Sequence, residues 1–134
     1  MRRAIGIDLG GTSIKGGLID KEGNILKRAK KDTRSARGRD EVLQRISQVI
    51  DILMEDDVIG IAIGSPGFID SDEGKVLKVG GNIKGWAGTK IKAELEKKHP
   101  KKPIFVENDA NVAAICEQWL GAAKEYDNFI MLTL

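Results

Sequence analysis

Between Ala4 and Ala29 lie three strand-length apolar stretches, Ala4–Ile7, Ile14–Ile19 and Ile25–Ala29, joined by links too short to cross a sheet. A parallel crossover takes about a dozen residues or more, so these strands must be antiparallel neighbours. Gly10-Gly11 makes one turn, using the tolerance of glycine for positive φ, and Asp20–Asn24 makes the other. Beyond Arg39 the period changes. Val42, Leu43, Ile46, Val49, Ile50 and Leu53 recur at helical spacing up to Met54, and the unbroken apolar run Val58–Ile63 predicts a strand covered on both faces. Residues 64–85 read as a loop or irregular hairpin, and Thr89–Lys98 as a helix stopped by His99-Pro100. Pro103–Val106 is a strand, Ala110–Ala123 a helix, and Phe129–Leu134 a last strand.

A three-strand meander followed by helix–strand alternation predicts an α/β, ribonuclease H-like domain: a five-stranded mixed sheet with helices on both faces. With 41% hydrophobic residues, 134 residues suffice for one core. A net charge of +2 is too mild to imply nucleic acid, and a single cysteine, Cys116, excludes a disulfide framework. No signal peptide or long apolar run is present, so the expected setting is the cytoplasm, with no membrane partner.

Sheets of this kind place their chemistry beyond the carboxyl ends of the strands. Three polar or glycine-rich segments fall there: Asp8-Leu9-Gly10-Gly11-Thr12, Gly64-Ser65-Pro66-Gly67 and Glu107-Asn108-Asp109. Backbone amides at Gly10, Gly11 and Thr12 lie open to an anionic phosphate, and the Thr12 hydroxyl adds a donor. Asp8, a carboxylate ending a strand expected to be buried, needs a partner. Magnesium accompanying a nucleotide phosphate, reached through water, is one; local N–H groups in a tight turn are the other. In "VENDAN", Asn108, Asp109 or Asn111 can cap the helix that follows, yet capping accounts for one polar side chain and the segment holds several. A carboxylate at a helix amino terminus can hold a hydroxyl nucleophile and accept its proton late in phosphoryl transfer, and an asparagine can both donate to and accept from sugar hydroxyls.

The segments "GIDLGGTSIKGGLID", "GIAIGSPGFID", "GNIKGW" and "VENDAN", in this order, resemble the amino-terminal half of a ROK sugar kinase, the bacterial glucokinase group of the actin-like ATPase superfamily. The resemblance covers essentially the whole chain. It implies that Asp8, Gly10, Gly11 and Thr12 form the first phosphate loop for ATP, Asp8 serving Mg2+ through water, with Lys15 near the phosphates or else solvated. Gly67 and Asn82 would touch a hexose, glucose first among them. Asn108 and Asp109 would bind its hydroxyls, and Asp109 would be the catalytic base. Residues 1–124 would be the sugar- and phosphate-binding domain, and 125–134 the first strand of a second, ATP-binding domain. The second phosphate loop, an E-x-G-H motif, any zinc site and the adenosine pocket would belong to that other half. The full-length parent would be a homodimer, and this fragment alone inactive.

Two departures stand out: Lys84 where the family has proline, and Gly16-Gly17 where it has bulkier residues. Two other readings are a sugar-sensing repressor of the same family, disfavoured because the first strand begins near Met1 and leaves no room for a helix-turn-helix, and an actin-like ATPase module, which would not need Asn108-Asp109. The basic run "LKRAKKDTRSARGR" lacks aromatics and reads as a solvated face. His99 reads as a helix end, Cys116 and Trp119 as core, and Trp86 as either a sugar-stacking ring or a loop anchor.

Overall fold

A computed structural model describes all 134 residues. Strands β1 (Arg3–Leu9), β2 (Ser13–Asp20) and β3 (Ile25–Asp32) form the meander. A 3-10 turn (Ser35–Arg37) leads to α1 (Arg39–Leu53), then β4 (Val58–Ser65), the short pair β5 (Phe68–Asp70) and β6 (Lys75–Lys78), α2 (Ile91–Lys98), β7 (Ile104–Asn108) and α3 (Asp109–Leu120). The main sheet runs β3-β2-β1-β4-β7, antiparallel within the meander and parallel from β1 through β4 to β7, while β5 and β6 form a separate hairpin. The elements arrive in the predicted order. Most strand ends lie a residue or more beyond the sequence estimate, because ladder bonding carries polar residues such as Asp8, Asp32 and Asn108 into the strands.

Register decides which side chains share a face. Ile5 pairs with Leu18 and Ile61, Ile7 with Ile63, and Ile61 and Ile63 with Ile104 and Val106, so these apolar residues line one side. Against them pack Val42, Ile46, Val49, Ile50 and Leu53 of α1 and Ile91 and Leu95 of α2, all buried. Gly16 allows α1 to press on β2: a Cβ there would stand 2.6 Å from Val49 Cγ1 and 2.7 Å from Leu53 Cδ1. Trp86 is an anchor rather than a sugar-stacking ring, since it is 1% exposed within this core and donates its indole N–H to Ser65 Oγ at 3.0 Å.

The opposite side differs from expectation. There Ala4 pairs with Ile19 and Gly60, Gly6 with Gly17 and Ala62, and Asp8 with Lys15 and Gly64, a shallow trough of small residues. Only α3 packs on it, against β4 and β7. Val58–Ile63 is therefore covered on one face only: Ala62 is exposed, and a bulge opposite Arg3/Ala4 turns Ile59 outward as well. Cys116 and Trp119, read as core, are exposed, Trp119 by 48%, because no layer lies beyond their helix. Asp8, read as part of a buried strand, is likewise exposed at the mouth of the trough. Phe129–Leu134, expected as a strand, forms no ladder and runs as exposed chain. At the β3 edge Lys27, Arg28, Lys30 and Lys31 stand along unpaired backbone, an arrangement that discourages strand addition. No helix is long and apolar enough to cross a membrane.

Candidate active site

The parallel strands and the β1–β2 turn deliver their loops to one edge of the sheet. In the turn, Gly10 N–H donates to Ser13 O at 3.0 Å, and a Cβ on Gly10 would lie 2.9 Å from that oxygen, so glycine is required. Thr33, fully buried at the end of β3, closes the turn from behind. Its hydroxyl donates to Gly10 O at 2.7 Å and its amide to Thr12 O at 2.9 Å. The carbonyls being held this way, the amides of Gly11 and Thr12 donate to nothing in the chain and remain open to an anion. Lys15 stands across the ladder from Asp8 on the open face of the sheet, exposed, and no ion pair joins them.

At the end of β4, Ser65 is buried, its hydroxyl taking the Trp86 indole N–H and donating to Pro66 O at 3.1 Å. Gly67 has φ 103°, and a Cβ on it would meet Lys78 O at 2.5 Å. Its carbonyl accepts from Asn108 Nδ2 at 2.7 Å. The same Asn108 caps α3, Oδ1 accepting the Asn111 amide at 3.1 Å, so one side chain ties the β4 loop to the helix that begins after β7. Glu107 Oε1 accepts from the amide of Asn108 at 2.7 Å and from Asn111 Nδ2 at 3.2 Å. Asp109, half-buried, uses Oδ1 on the Ala110 amide at 2.8 Å, and its other oxygen takes no bond from the chain. A Cβ on Gly64 would stand 3.5 Å from Asp109 Cα, which fixes how closely that helix end approaches β4.

Asn82 completes the group from a separate loop. A Cβ on Gly11 would lie 3.6 Å from Asn82 Cβ, so the loop that carries Asn82 rests on the β1–β2 turn. Buried Ile83 and Trp86 hold its far end, and the Lys84 amide donates to Ser35 O at 3.1 Å. Lys84 thus ties the loop with an N–H bond that proline could not make. The structure thus gathers Asp8, Gly10, Gly11, Thr12, Gly67, Asn82, Asn108 and Asp109 along one edge, and leaves Lys15 on the sheet face beside it. Capping and site-building coincide at Asn108.

Sequence reasoning passed over Thr33, which closes the turn, and Ser65, which receives the anchor. A lone threonine amid lysines and arginines carries no periodic signal. The neighbouring Arg34 and Arg37, read as solvated surface, are exposed, and with Ser35 they also form one wall of an open cleft of about 560 Å3 whose other wall is Gly11 and Thr12. His99 is a helix end, as read, with more to it: Nε2 lies 2.9 Å from Ser47 Oγ of α1, and burial holds its pKa below the ordinary value despite the nearby Asp51 carboxylate.

Residues 4–134 match the family described as the ROK family. A protein named glucokinase from Thermotoga maritima is 36% identical over 133 residues, which is 98% of this chain and 41% of that one. A beta-glucoside kinase from Klebsiella pneumoniae is 35% identical over 95% of this chain and 41% of its own length. Among solved structures, a ROK family glucokinase from Streptomyces griseus in complex with glucose and AMPPNP superposes with a TM-score of 0.84, at 34% identity, over 93% of this chain and 39% of that one. The chain thus spans about two fifths of the length of these relatives.

Proposed function

Because the chain belongs to the ROK family, we propose that it forms the acceptor-binding half of an ATP-dependent hexose kinase, with glucose as the first acceptor to test and Asp109 as the base. The observation that carries this reading is the pairing, on one sheet edge, of a turn whose Gly11 and Thr12 amides are unengaged with a carboxylate oxygen of Asp109 that no group of the chain occupies. The relatives named glucokinase and beta-glucoside kinase, and the glucose and AMPPNP complex, support a sugar acceptor and an ATP donor.

On this reading a hexose lies against Gly67 and Asn82 with one hydroxyl on the free oxygen of Asp109. Asn108 spends one Nδ2 hydrogen on the Gly67 carbonyl and one lone pair of Oδ1 on the Asn111 amide, so it holds Gly67 and Asp109 relative to each other and keeps a second hydrogen and lone pair for a sugar hydroxyl. The acceptor hydroxyl attacks in line, and Asp109 takes its proton as the bond to phosphorus forms. Gly11, Thr12 and the Thr12 hydroxyl orient the transferred group. The exposed Asp8 carboxylate makes no hydrogen bond to the chain and stands beside these amides, which fits an outer-sphere contact to magnesium. Magnesium, when bound, offsets the charge of the phosphates. Holding the donor from its other side falls to a second lobe, of which residues 125–134 would be the first strand, and the homodimeric state belongs to the same expectation.

The test is a coupled ATP assay with a panel of hexoses on the polypeptide that carries this sequence together with that lobe. Asp109→Asn should lower kcat by about two to four orders of magnitude with little change in sugar affinity, because the amide keeps its hydrogen bonds but accepts no proton. A variant that keeps most of its turnover would refute the assignment. The 134-residue chain alone should show no sugar-dependent ATP hydrolysis.

A further inference from the structure

A trans peptide is planar, so its carbonyl and its N–H point in opposite directions and the placement of one fixes the other. In the β1–β2 turn the Gly10 carbonyl and the Gly11 N–H belong to one such plane. Thr33, fully buried behind the turn, takes the carbonyl, its hydroxyl donating to Gly10 O at 2.7 Å. The Gly11 N–H therefore faces away from Thr33, and it donates to nothing in the chain.

This plane is the one in the turn that can most easily reverse. A reversal rotates ψ of the residue before the peptide and φ of the residue after it, and glycine permits both rotations where a side chain would resist them. Gly10-Gly11 has glycine on both sides, and the pairing of β1 with β2 stops short of it, at Leu9 and Ile14. Reversed, the plane would present the Gly10 carbonyl oxygen, an acceptor, where a phosphate needs a donor. Thr33 is itself held firmly. Its amide donates to Thr12 O at 2.9 Å; beyond it Arg34, the only non-glycine residue with positive φ, 54°, turns the chain, and Ser35 O accepts the Lys84 amide at 3.1 Å. A conformation like that of Arg34 is retained mainly where the surroundings on both sides require it.

We infer that Thr33 is a positioning residue for the phosphoryl donor: its hydroxyl latches the Gly10–Gly11 peptide in the orientation that offers a phosphate an N–H instead of a carbonyl. The inference rests on the reading of that turn as a phosphate site. Thr33 touches no substrate and acts through Gly11. On the acceptor side, Gly67 is tied to Asn108 and Asp109 to the Ala110 amide, with no bond from Thr33 to either, so its effect falls on the donor.

The experiment uses the polypeptide that carries this sequence together with the second lobe, and reads kcat, the KM for MgATP and the KM for the hexose. Calorimetry gives the Kd for the nonhydrolysable MgAMPPNP. Thr33→Val, which keeps the shape and removes the hydroxyl, should raise the ATP KM and the AMPPNP Kd about tenfold and leave the hexose KM within about twofold. Thr33→Ala, which removes the hydroxyl without setting a methyl group against the Gly10 carbonyl, should do the same. Thr33→Ser should return both donor constants to within about threefold of native. Thr89→Val is the control: Thr89 is equally buried, its hydroxyl has no partner, and every constant should stay within about twofold. Thr33 variants that melt earlier but keep the native donor constants would make Thr33 a packing residue and overturn the inference, as would an equal loss in the Thr89 variant or a serine that fails to rescue. The underlying reading fails separately. A native polypeptide that binds no AMPPNP would refute the turn as a phosphate site, and the latch with it. One that binds AMPPNP but phosphorylates no hexose would refute only the kinase reading, and the calorimetry would still decide the role of Thr33.

Discussion

The two faces of the sheet are made from the same strands and obey different rules. One carries Ile5, Ile7, Ile61, Ile63, Ile104 and Val106 beneath α1 and α2; the other carries Ala4, Gly6, Gly17, Gly60 and Ala62, with α3 packed only on its β4 and β7 side. The first is a core in the full sense, with helix side chains filling the space above the strands. The second holds its apolar side chains in the open: Phe105 is 62% exposed, Ile115 60% and Trp119 48%. Stability should therefore come from one side of the sheet.

The sharpest way to break this comparison is to truncate one large side chain on each side. Ile50→Ala, at a fully buried position of α1, should cost about 3 kcal/mol in urea unfolding, whereas Trp119→Ala should cost less than about 1 kcal/mol despite removing more atoms. Equal losses would mean that α3 is packed in solution. A smaller effect comes from adjacent glycines on opposite faces. Gly16→Ala forces a methyl group to within 3 Å of two α1 side chains and should destabilise by about 1–3 kcal/mol, whereas Gly17→Ala, with its nearest contact at 3.3 Å, should stay within about 0.5 kcal/mol or gain slightly. If the two changes cost the same, the approach of α1 to β2 is wrong.

How much of this was legible depends on what each residue signals locally. The meander and α1 were readable because short links and a 3.6-residue period are properties of neighbours in sequence. The open face was not. The run Val58–Ile63 is continuous whether or not a second layer exists, and Cys116 and Trp119 recur on the helix whether or not anything faces them. The site was legible in "DLGGT" and "VENDAN" because close approach and capping demand particular residue types. Thr33 was not, because its importance lies in contacts with Gly10 and Thr12, some twenty residues away in the chain.

Two weaker effects sharpen the contrast further. Exposed Phe105, Ile115 and Trp119 should make the 134-residue chain associate with itself as concentration rises, and Trp119→Lys should reduce that in light scattering without lowering the unfolding midpoint. On the packed side, His99 joins the end of α2 to α1, its side chain 8% exposed, with Asp51 and Lys98 the charged groups around it. Burial disfavours the imidazolium, so the folded-state pKa lies below the unfolded value of about 6.5. The unfolded chain then takes up the proton first as pH falls. The stability that His99 provides is complete above about 6.5 and is lost as pH drops through the folded pKa. The urea midpoint of His99→Gln should consequently vary less between pH 7.5 and 5 than that of the native chain, and a parallel dependence in both would remove His99 as the cause.

The double use of the Asn108 amide limits how this site can be altered. Most substitutions there release the Gly67 carbonyl and uncap the helix that starts with Asp109 together, and Asn108→Asp keeps the cap only by setting a carboxylate against the Gly67 carbonyl, so an exchange at that position retunes recognition only by disturbing the neighbourhood of the reacting group. The Asn82 loop is under no such bond. Gly80 beside it has nothing within 4 Å of where a Cβ would stand, whereas Gly81, with φ 80°, holds a conformation that favours glycine, and the anchors Ile83 and Trp86 lie on one side only. Libraries meant to change acceptor preference should diversify residues 80 and 82, keep Gly81, and leave 107–109 untouched, because the first segment can vary in steps while the second changes all at once.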